Sequence, residues 1–320
     1  MAGGIHRGRV LVIGSSNTDY TLRVPTLPTP GETRLGGVFA INPGGKGANQ
    51  AVAACRAGAE VTFVTAVGDD DQGRAALEVG RRAGIDVGHA IVVAGAVSGA
   101  ALILVDDAGE NMIGVAPGAN AALRVEYDDA LPDALFESGG VLLASLEIPL
   151  EVVARALERG RAAGMITLLN PAPASLAATP LLARADVVTP NRGEAATLVG
   201  KPPDTDPTEL AAALIELGAR VVVMTLGPRG CLVATRREHP TLGREDATLD
   251  LTAIPSPSVV AVDTVGAGDA FNGALATALA EGLPPLIAAA WAVCAGALAV
   301  TVRGAQAGLP TRAAIDALDS

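Results

Sequence analysis

The segment with the clearest chemical content is VDTVGAGDAFNGA, residues 262–274. We expect a strand over Val259–Val262, then a glycine-rich turn, then a helix that opens at Asp269. Successive backbone N–H groups of such a turn, with the helix dipole behind them, form an anion hole. A carboxylate beside that hole can take a proton from a hydroxyl while the hole holds a transferring phosphoryl group. Asp269 is therefore the predicted catalytic base, because a simple N-cap would not need the Gly-x-Gly before it. The predicted anion hole comprises Gly266, Ala267 and Gly268.

A polar pair follows the first predicted strand, Val10–Ile13, in the segment GSSNTD. Asn17 and Asp19 are two residues apart, so in an extended chain they point to the same face. An amide and a carboxylate on one face can clamp vicinal hydroxyls, because the carboxylate accepts two O–H bonds. The alternative is an Asx-type turn that merely ends the strand.

The segment PGGKGANQA, residues 43–51, begins a predicted helix. Its glycines let the backbone approach a ligand closely, and Lys46 and Asn49 add hydrogen-bond donors. A Walker A loop is excluded because Gly47 stands where that motif has serine or threonine after the lysine. A glycine-rich turn that only starts a helix is the alternative.

Further polar residues follow other predicted strands. Glu147 follows Val141–Ala144, and taken singly it could equally be a loop or cap residue. Asn191 and Glu194 are three apart, which places an amide and a carboxylate on one side of a turn, suitable for holding waters around Mg²⁺. The alternative for that pair is an N-cap asparagine with a capping-box glutamate.

The elements that must position these residues alternate along the chain. Nearly continuous hydrophobic runs indicate strands covered on both faces, and Ala-rich stretches between them indicate helices. We therefore predict an α/β fold with a doubly wound, mostly parallel sheet flanked by helices. Two segments, about 18–42 and 98–117, alternate polar and apolar residues and predict a small β-sheet lid within a single domain over residues 1–320.

Composition narrows the classes of partner. The chain has 320 residues and a net charge of −11. Because such a chain repels a phosphate backbone, we do not expect it to bind nucleic acid. Three scattered cysteines suggest neither a disulfide framework nor a zinc site. Residues 1–9 lack the apolar stretch of a signal peptide, and the apolar run Ile287–Val302 is shorter than the ~20 residues of a membrane span. We expect a cytoplasmic protein that does not bind membranes.

Over about residues 9–312 the chain resembles the PfkB (ribokinase-type) carbohydrate kinases. The motifs GGKGANQ and GAGD together are quite specific to that superfamily, whereas GANAAL and NPAPA argue against its adenosine kinases and fructokinases. The resemblance implies ATP-dependent phosphorylation of D-ribose at O5, with Mg²⁺. A kinase for deoxyribose or a nucleoside, and a non-catalytic sugar-binding regulator, are the alternatives.

The resemblance also implies residue roles. The implied sugar-binding positions are Asn17, Asp19, Gly45, Lys46, Asn49, Glu147 and Asp269. The implied nucleotide positions are Asn191, Thr225, Gly227, Gly230 and Gly268, with Glu194 in the Mg²⁺-linked motif.

A monovalent cation, K⁺, is implied beside the anion hole, together with a homodimer that buries the lid strands. The implied cation positions are Asp263, Val265, Ala299, Val302, Gly304 and Gly308. Gly308 stands where the family commonly has serine, so one hydroxyl ligand is absent here. We expect K⁺ activation to persist at higher ion concentration, and Gly308→Ser to lower that requirement.

Overall fold

The computed structural model describes residues 7–124, 131–236 and 249–319. An eight-stranded sheet forms the centre of this part of the chain. Its strands in spatial order are β14 (Leu249–Ile254), β13 (Cys231–Arg236), β12 (Val221–Thr225), β11 (Val187–Val188), β10 (Ile166–Asn170), β9 (Val141–Ser145), β1 (Arg9–Ile13) and β4 (Glu60–Val64). The strands from β4 to β12 run parallel, and β13 and β14 add an antiparallel edge. β9 is buried at every residue, as expected of a strand covered on both faces.

Helices cover both faces of this sheet. They are α1 (Lys46–Arg56), α2 (Asp71–Ala83), α3 (Leu150–Ala162), α4 (Arg192–Val199), α5 (Pro207–Glu216), α6 (Ala267–Ala280), α7 (Pro285–Ala299), α8 (Ala305–Gly308) and α9 (Arg312–Asp319). One core cluster joins the sheet to α1, α6, α7 and α9, and the other joins it to α3, α4 and α5. The predicted α/β fold with a mostly parallel sheet between two helical layers is confirmed.

The two segments predicted as lid strands form a separate four-stranded sheet, here called the lid sheet. Its order is β3 (Val38–Gly44), β2 (Asn17–Arg23), β7 (Gly99–Val105) and β8 (Asn111–Ala116). Asn17 at the start of β2 pairs with Gly44 at the end of β3. Because α1 begins two residues after Gly44, this end of the lid sheet adjoins the start of that helix. A further short pair joins β5 (Ala66–Gly68) and β6 (Ile91–Val93).

The strand predicted over Val259–Val262 is wrong. That segment runs past the end of α7, where the N–H groups of Val262 and Asp263 donate to the Val300 carbonyl at 2.7 and 3.1 Å. In the described part of the chain, β14 is the edge strand of the large sheet, and residues 259–262 do not pair with it. Helix α6 also opens at Ala267, two residues before the predicted start.

No helix in the described ranges is long and apolar enough to cross a membrane. The expectation drawn from residues 1–9 falls partly on residues 1–6, which lie outside the described residues.

Candidate active site

The amino end of α6 carries the predicted anion hole. Gly266 precedes the helix with φ 82°, and a Cβ at this position would lie 2.8 Å from the Ala305 Cα. Only glycine satisfies both the left-handed backbone and that close approach. Ala267 and Gly268 form the first turn, whose N–H groups have no intrahelical acceptor. A Cβ on Gly268 would meet open space in the described part of the chain, so this turn can receive a ligand.

Asp269 lies in the same turn and is 7% exposed. Its two carboxylate oxygens accept hydrogen bonds from α1: Oδ2 from the Asn49 side-chain amide at 2.9 Å, and Oδ1 from the Gln50 amide at 3.0 Å. Burial raises the pKa of Asp269, while Lys46, Asn49 and Gln50 oppose that rise. The result is a buried carboxylate, held in one orientation, whose basicity is increased.

Gln50 connects the first turn of α6 to the sheet. The same amide nitrogen donates to the Asn170 Oδ1 at 3.0 Å, and the Asn170 amide donates to the Thr189 carbonyl at 3.0 Å. Thr189 in turn donates through its hydroxyl to Asn272 Oδ1 at 2.5 Å. These bonds tie the carboxyl ends of β10 and β11 to α1 and α6, which fixes the position of Asp269.

Lys46 and Glu147 meet at the amino end of α1. The Lys46 backbone N–H and the Ser15 hydroxyl donate to Glu147 Oε2 at 3.0 and 2.5 Å. A carboxylate at a helix amino end is favoured by the helix dipole. Burial lowers the pKa of the Lys46 ammonium, but the opposing carboxylates of Asp269, Glu147 and Glu194 raise it further, so the net shift is upward. Lys46 is therefore a permanent cation in the site.

Asn17 and Asp19 lie in β2 rather than in an Asx-type turn. Asn17 is buried, and its Oδ1 accepts a hydrogen bond from the Asn120 amide at 2.8 Å. A Cβ at Gly44 would lie 2.2 Å from the carboxylate of Asp19, so glycine leaves the space that this carboxylate occupies. Burial, reinforced by the charges of Glu147 and Asp269, raises the pKa of Asp19 to about 6.

Asn191 and Glu194 form a capping box at the start of α4, as the alternative interpretation held. Asn191 Oδ1 accepts from the Glu194 N–H, and Glu194 Oε2 accepts from the Asn191 N–H, both at 2.8 Å. The pair also faces the site, because Glu194 is electrostatically coupled to Lys46 and Asp269. Burial raises the pKa of Glu194. Capping and lining the cleft are thus compatible roles.

One cleft of about 220 Å³ joins Lys46, the capping box and the amino end of α6, whereas Asn17, Asp19, Gly45, Asn49 and Glu147 are not part of its lining. It is lined by Lys46, Asn170, Ala172, Thr189, Asn191, Glu194, Thr225, Thr264, Gly266, Gly268, Asp269 and Asn272. Thr225 reaches it because its N–H donates to the Pro190 carbonyl at 3.0 Å. Gly227 and Gly230 lie in the turn that joins β12 to β13.

Sequence reasoning missed three side chains that hold the predicted ones in place: Gln50, Asn120 and Gln306. Gln306 donates to the Asn49 Oδ1 at 3.1 Å. Gln50 and Asn120 stand inside the motifs GGKGANQ and GANAAL, so the signal was present, but their partners are more than 100 residues away in the chain. No local pattern reveals such a pairing.

The residues of the implied cation site also come together. Asp263 accepts from the N–H groups of Val265 at 3.1 Å and Gly304 at 3.0 Å, and lies 3.6 Å from the Arg23 guanidinium. These bonds use the carboxylate of Asp263 to hold the loop before α6.

Two backbone carbonyls face Gly308 in the same region. A Cβ at Gly308 would lie 2.7 Å from the Ala299 oxygen and 3.3 Å from the Val302 oxygen. Because Gly308 has no Cβ, space remains beside the carbonyl oxygens of Ala299 and Val302.

A family model described as pfkB family carbohydrate kinase matches residues 7–312. The chain is 36% identical over 308 residues to a ribokinase from Haemophilus influenzae, which covers 96% of each protein. It is 38% identical to a bifunctional ribokinase/ribose-5-phosphate isomerase A from Fructilactobacillus sanfranciscensis, covering 96% of this chain and 55% of that protein. It is also 35% identical to a deoxyribokinase from Salmonella typhi, covering 94% of this chain and 95% of that protein.

Solved structures give the same result. A ribokinase from Thermotoga maritima superposes with a TM-score of 0.83 at 34% identity, covering 97% of this chain and 99% of that one. A ribokinase from Arabidopsis thaliana complexed with ribose and ATP superposes with a TM-score of 0.82 at 27% identity, covering 98% and 99%. Fold and site together are those of a sugar kinase, a phosphotransferase. Within that class, the chain belongs to the pfkB family of carbohydrate kinases.

The position of Asp269 leads to a first prediction. Asp269→Asn retains the shape of the side chain but removes the proton acceptor, so kcat should fall by about 10²–10⁴-fold, the usual contribution of a positioned base. Turnover and nucleotide affinity are measured together, and the affinity should stay unchanged. Asp204→Asn, at an exposed loop position, is the matched control and should retain full turnover. Near-normal turnover in Asp269→Asn would remove Asp269 from the chemistry.

Proposed function

We propose that this protein phosphorylates D-ribose at O5 with ATP, giving D-ribose 5-phosphate and ADP. The observation that carries the proposal is the buried Asp269, held by two amides at the amino end of α6 and facing Lys46. A carboxylate with raised basicity beside exposed helix N–H groups suits proton removal coupled to phosphoryl transfer. A non-catalytic regulator would not need this arrangement.

In the proposed reaction Asp269 accepts the proton of the attacking hydroxyl. The O5 hydroxyl of the sugar attacks the γ-phosphorus of ATP, and its proton passes to a carboxylate oxygen of Asp269. The bond between the γ-phosphorus and its bridging oxygen breaks, and ADP leaves with that oxygen. The N–H groups of Gly266, Ala267 and Gly268 are proposed to stabilise the charge on the transferring group, with the Ala267 N–H leaving its 3.3 Å bond to the Thr264 carbonyl.

The nucleotide is proposed to bind at the carboxyl ends of β11 and β12. Asn191 and Thr225 line the cleft there, with Gly227 and Gly230 in the adjoining turn and Gly268 opposite. Glu194 is the proposed link to Mg²⁺ through water, because a carboxylate suits this ion and one of its oxygens is already used in the capping box. When bound, Mg²⁺ would neutralise charge on the phosphates.

The sugar is proposed to bind between the lid sheet and α1. Asn17, Asp19, Gly45, Lys46, Asn49 and Glu147 are the proposed contacts. Asp19 and Glu147 offer acceptors and Lys46 and Asn49 offer donors, which suits a ligand with several hydroxyls. A deoxyribokinase relative at 35% identity supports 2-deoxyribose as a second candidate. The two sugars differ by one hydroxyl, which one or two contacts can distinguish.

The test of this function is release of ADP with a panel of acceptors: D-ribose, 2-deoxy-D-ribose, D-fructose and adenosine. We expect the highest kcat/KM for D-ribose, and ³¹P NMR of the product should show a 5-phosphate. A higher kcat/KM for 2-deoxy-D-ribose would assign the second candidate. ADP release that is equal with and without every acceptor would contradict both.

The variant Asp19→Ala tests whether the sugar binds at the proposed contacts. Removing a charged acceptor of hydroxyl groups should raise the KM for ribose about ten- to a hundred-fold, with the KM for ATP little changed. In the unaltered protein the KM for ribose should rise as pH falls below about 6, because Asp19 then becomes protonated. An unchanged sugar KM in Asp19→Ala would reassign Asn17 and Asp19 to a structural role.

A monovalent cation is proposed beside the anion hole, held by Asp263, Val265, Ala299, Val302, Gly304 and Gly308. The fit is supported by the carbonyls of Ala299 and Val302, which converge on the space beside Gly308. Backbone carbonyls suit a large, weakly hydrated ion such as K⁺. Bound there, K⁺ would add positive charge near the turn that receives the phosphoryl group.

The same geometry changes one expectation from the sequence, that Gly308→Ser lowers the K⁺ requirement. A Cβ at 2.7 Å from the Ala299 oxygen forces that carbonyl to move. We therefore expect Gly308→Ala and Gly308→Ser both to raise the K⁺ concentration for half-maximal turnover. The serine should raise it less than the alanine, because only serine adds a hydroxyl ligand.

Turnover and melting temperature are followed against KCl for the three proteins, with choline chloride keeping the ionic strength constant. The melting temperature reports ion binding independently of catalysis. Flat profiles in all three proteins would show that no monovalent ion acts here.

A homodimer through the lid sheet is proposed because that sheet exposes a large apolar surface. The strand register places Phe39, Ile41, Leu102 and Met112 on one face of the sheet, and each is at least 54% exposed. An apolar area of this kind on a sheet with open edges is typical of an interface.

Light scattering at micromolar concentration should give twice the chain mass, and Leu102→Glu should reduce it to the mass of one chain. Leu176→Glu, at a position 65% exposed outside the lid sheet, is the control. A monomer with full activity would contradict the proposal.

Two other expectations remain predictions: that residues 1–320 form a single domain with the lid strands inserted, and that the protein is cytoplasmic.

A further inference from the structure

Helix α8 is a four-residue segment that touches two parts of the catalytic turn. Its first residue, Ala305, packs against Gly266 at the anion hole. Gly304, just before the helix, donates its N–H to Asp263 Oδ2 at 3.0 Å. The Arg56 guanidinium on α1 donates to the carbonyls of Gln306 and Leu309, both at 2.8 Å. The segment is thus fixed at both ends.

Gln306 projects from this segment toward the base. Its Nε2 donates to Asn49 Oδ1 at 3.1 Å, and Asn49 Nδ2 donates to Asp269 Oδ2 at 2.9 Å. The amide of Asn49 has a donor end and an acceptor end, so the two bonds are not independent. While Gln306 donates to Oδ1, the amino group of Asn49 must face Asp269.

We propose that Gln306 is a positioning residue of the phosphoryl transfer, which sets the orientation of Asn49 and thereby favours the ionised form of Asp269. The inference rests on the proposed function, because it gives Gln306 a role only if Asp269 is the base. It adds a residue that is not part of the cleft lining and whose side chain donates to Asn49. Its effect reaches the carboxylate through one intervening amide.

At a fixed, saturating KCl concentration, the other side-chain charges around Asp269 stay the same when Gln306 is changed. They are Lys46 on α1, Glu147 after β9, Asp19 on β2 and Glu194 on α4. A shift produced by altering Gln306 can therefore be assigned to Asn49 and to any charge that the variant itself introduces.

Two variants separate these contributions. Gln306→Leu removes the donor without adding charge, so the orientation of Asn49 is no longer fixed. Gln306→Glu replaces the donor by an acceptor of the same shape, so Asn49 turns to donate to the new carboxylate and presents its oxygen to Asp269. Losing one hydrogen bond to an ionised group corresponds to about one pKa unit.

The acid limb of the kcat profile, measured at saturating ribose so that the effect of Asp19 on KM does not enter, should therefore move to higher pH by about one unit in Gln306→Glu. It should move by a smaller amount in Gln306→Leu. Near pH 8.5 both variants should approach the turnover of the unaltered protein. Gln72→Glu makes the same chemical change on α2, where the amide donates to the Tyr20 hydroxyl, and should leave the limb in place.

A second measurement does not depend on turnover. The carboxyl carbon of Asp269, labelled with ¹³C and assigned by its loss in Asp269→Asn, is titrated in each protein by NMR. The pKa of Asp269 should rise in the order unaltered protein, Gln306→Leu, Gln306→Glu. An unchanged titration together with a lower melting temperature would make Gln306 purely structural and overturn the inference. Absent ADP release with a shifted titration would instead count against the proposed function alone.

Discussion

A carboxylate buried at the amino end of α6 imposes the main constraint on this molecule. Asp269 lies out of water, and a buried charge without hydrogen-bond partners would be strongly disfavoured. Its partners, Asn49 and Gln50, come from the first turns of α1, so α1 and α6 must cross closely. Gly273 on α6 meets this requirement, since a Cβ there would lie 2.4 Å from the Ala53 Cβ. The close packing of α1 against α6 is therefore what provides hydrogen-bond partners for the buried carboxylate of Asp269.

The same constraint organises the charges of the site. Lys46 stands among the carboxylates of Asp269, Glu147 and Glu194, which keep it protonated although burial opposes its charge. Asp19 lies farther out, on the lid sheet, and has its pKa raised to about 6 by burial and by its acidic neighbours. Its carboxylate is therefore the part of the proposed sugar site that is sensitive to mildly acidic pH. The proposed site therefore combines a cation that stays charged, Lys46 on α1, with a carboxylate that titrates, Asp19 on the lid sheet.

Much of this could be predicted from local sequence. Continuous apolar runs and Ala-rich stretches specified an α/β fold, because burial on both faces of a parallel strand leaves that pattern in the chain. The lid strands and the turn before Asp269 were also recognisable, since alternation and Gly-x-Gly are local signals. The strand predicted over Val259–Val262 was wrong because an apolar run does not reveal which part of the chain its backbone will meet. In the folded chain Val262 and Asp263 donate to the end of α7 instead of pairing with a strand.

The hydrogen-bond partners of the site residues depend on the tertiary structure. The sequence left two interpretations of Asn191 and Glu194, a capping box and a ligand site. In the folded chain they form the capping box, and both also line the cleft. Gln50 and Asn120 stand inside recognisable motifs, but the partners of Gln50, Asn120 and Gln306 could not be predicted, because each partner is more than 100 positions away. The pattern of residue types fixes which element forms, whereas a hydrogen bond between distant elements depends on how their backbones approach. That approach is a property of the packed helices and sheets, and no short segment contains it.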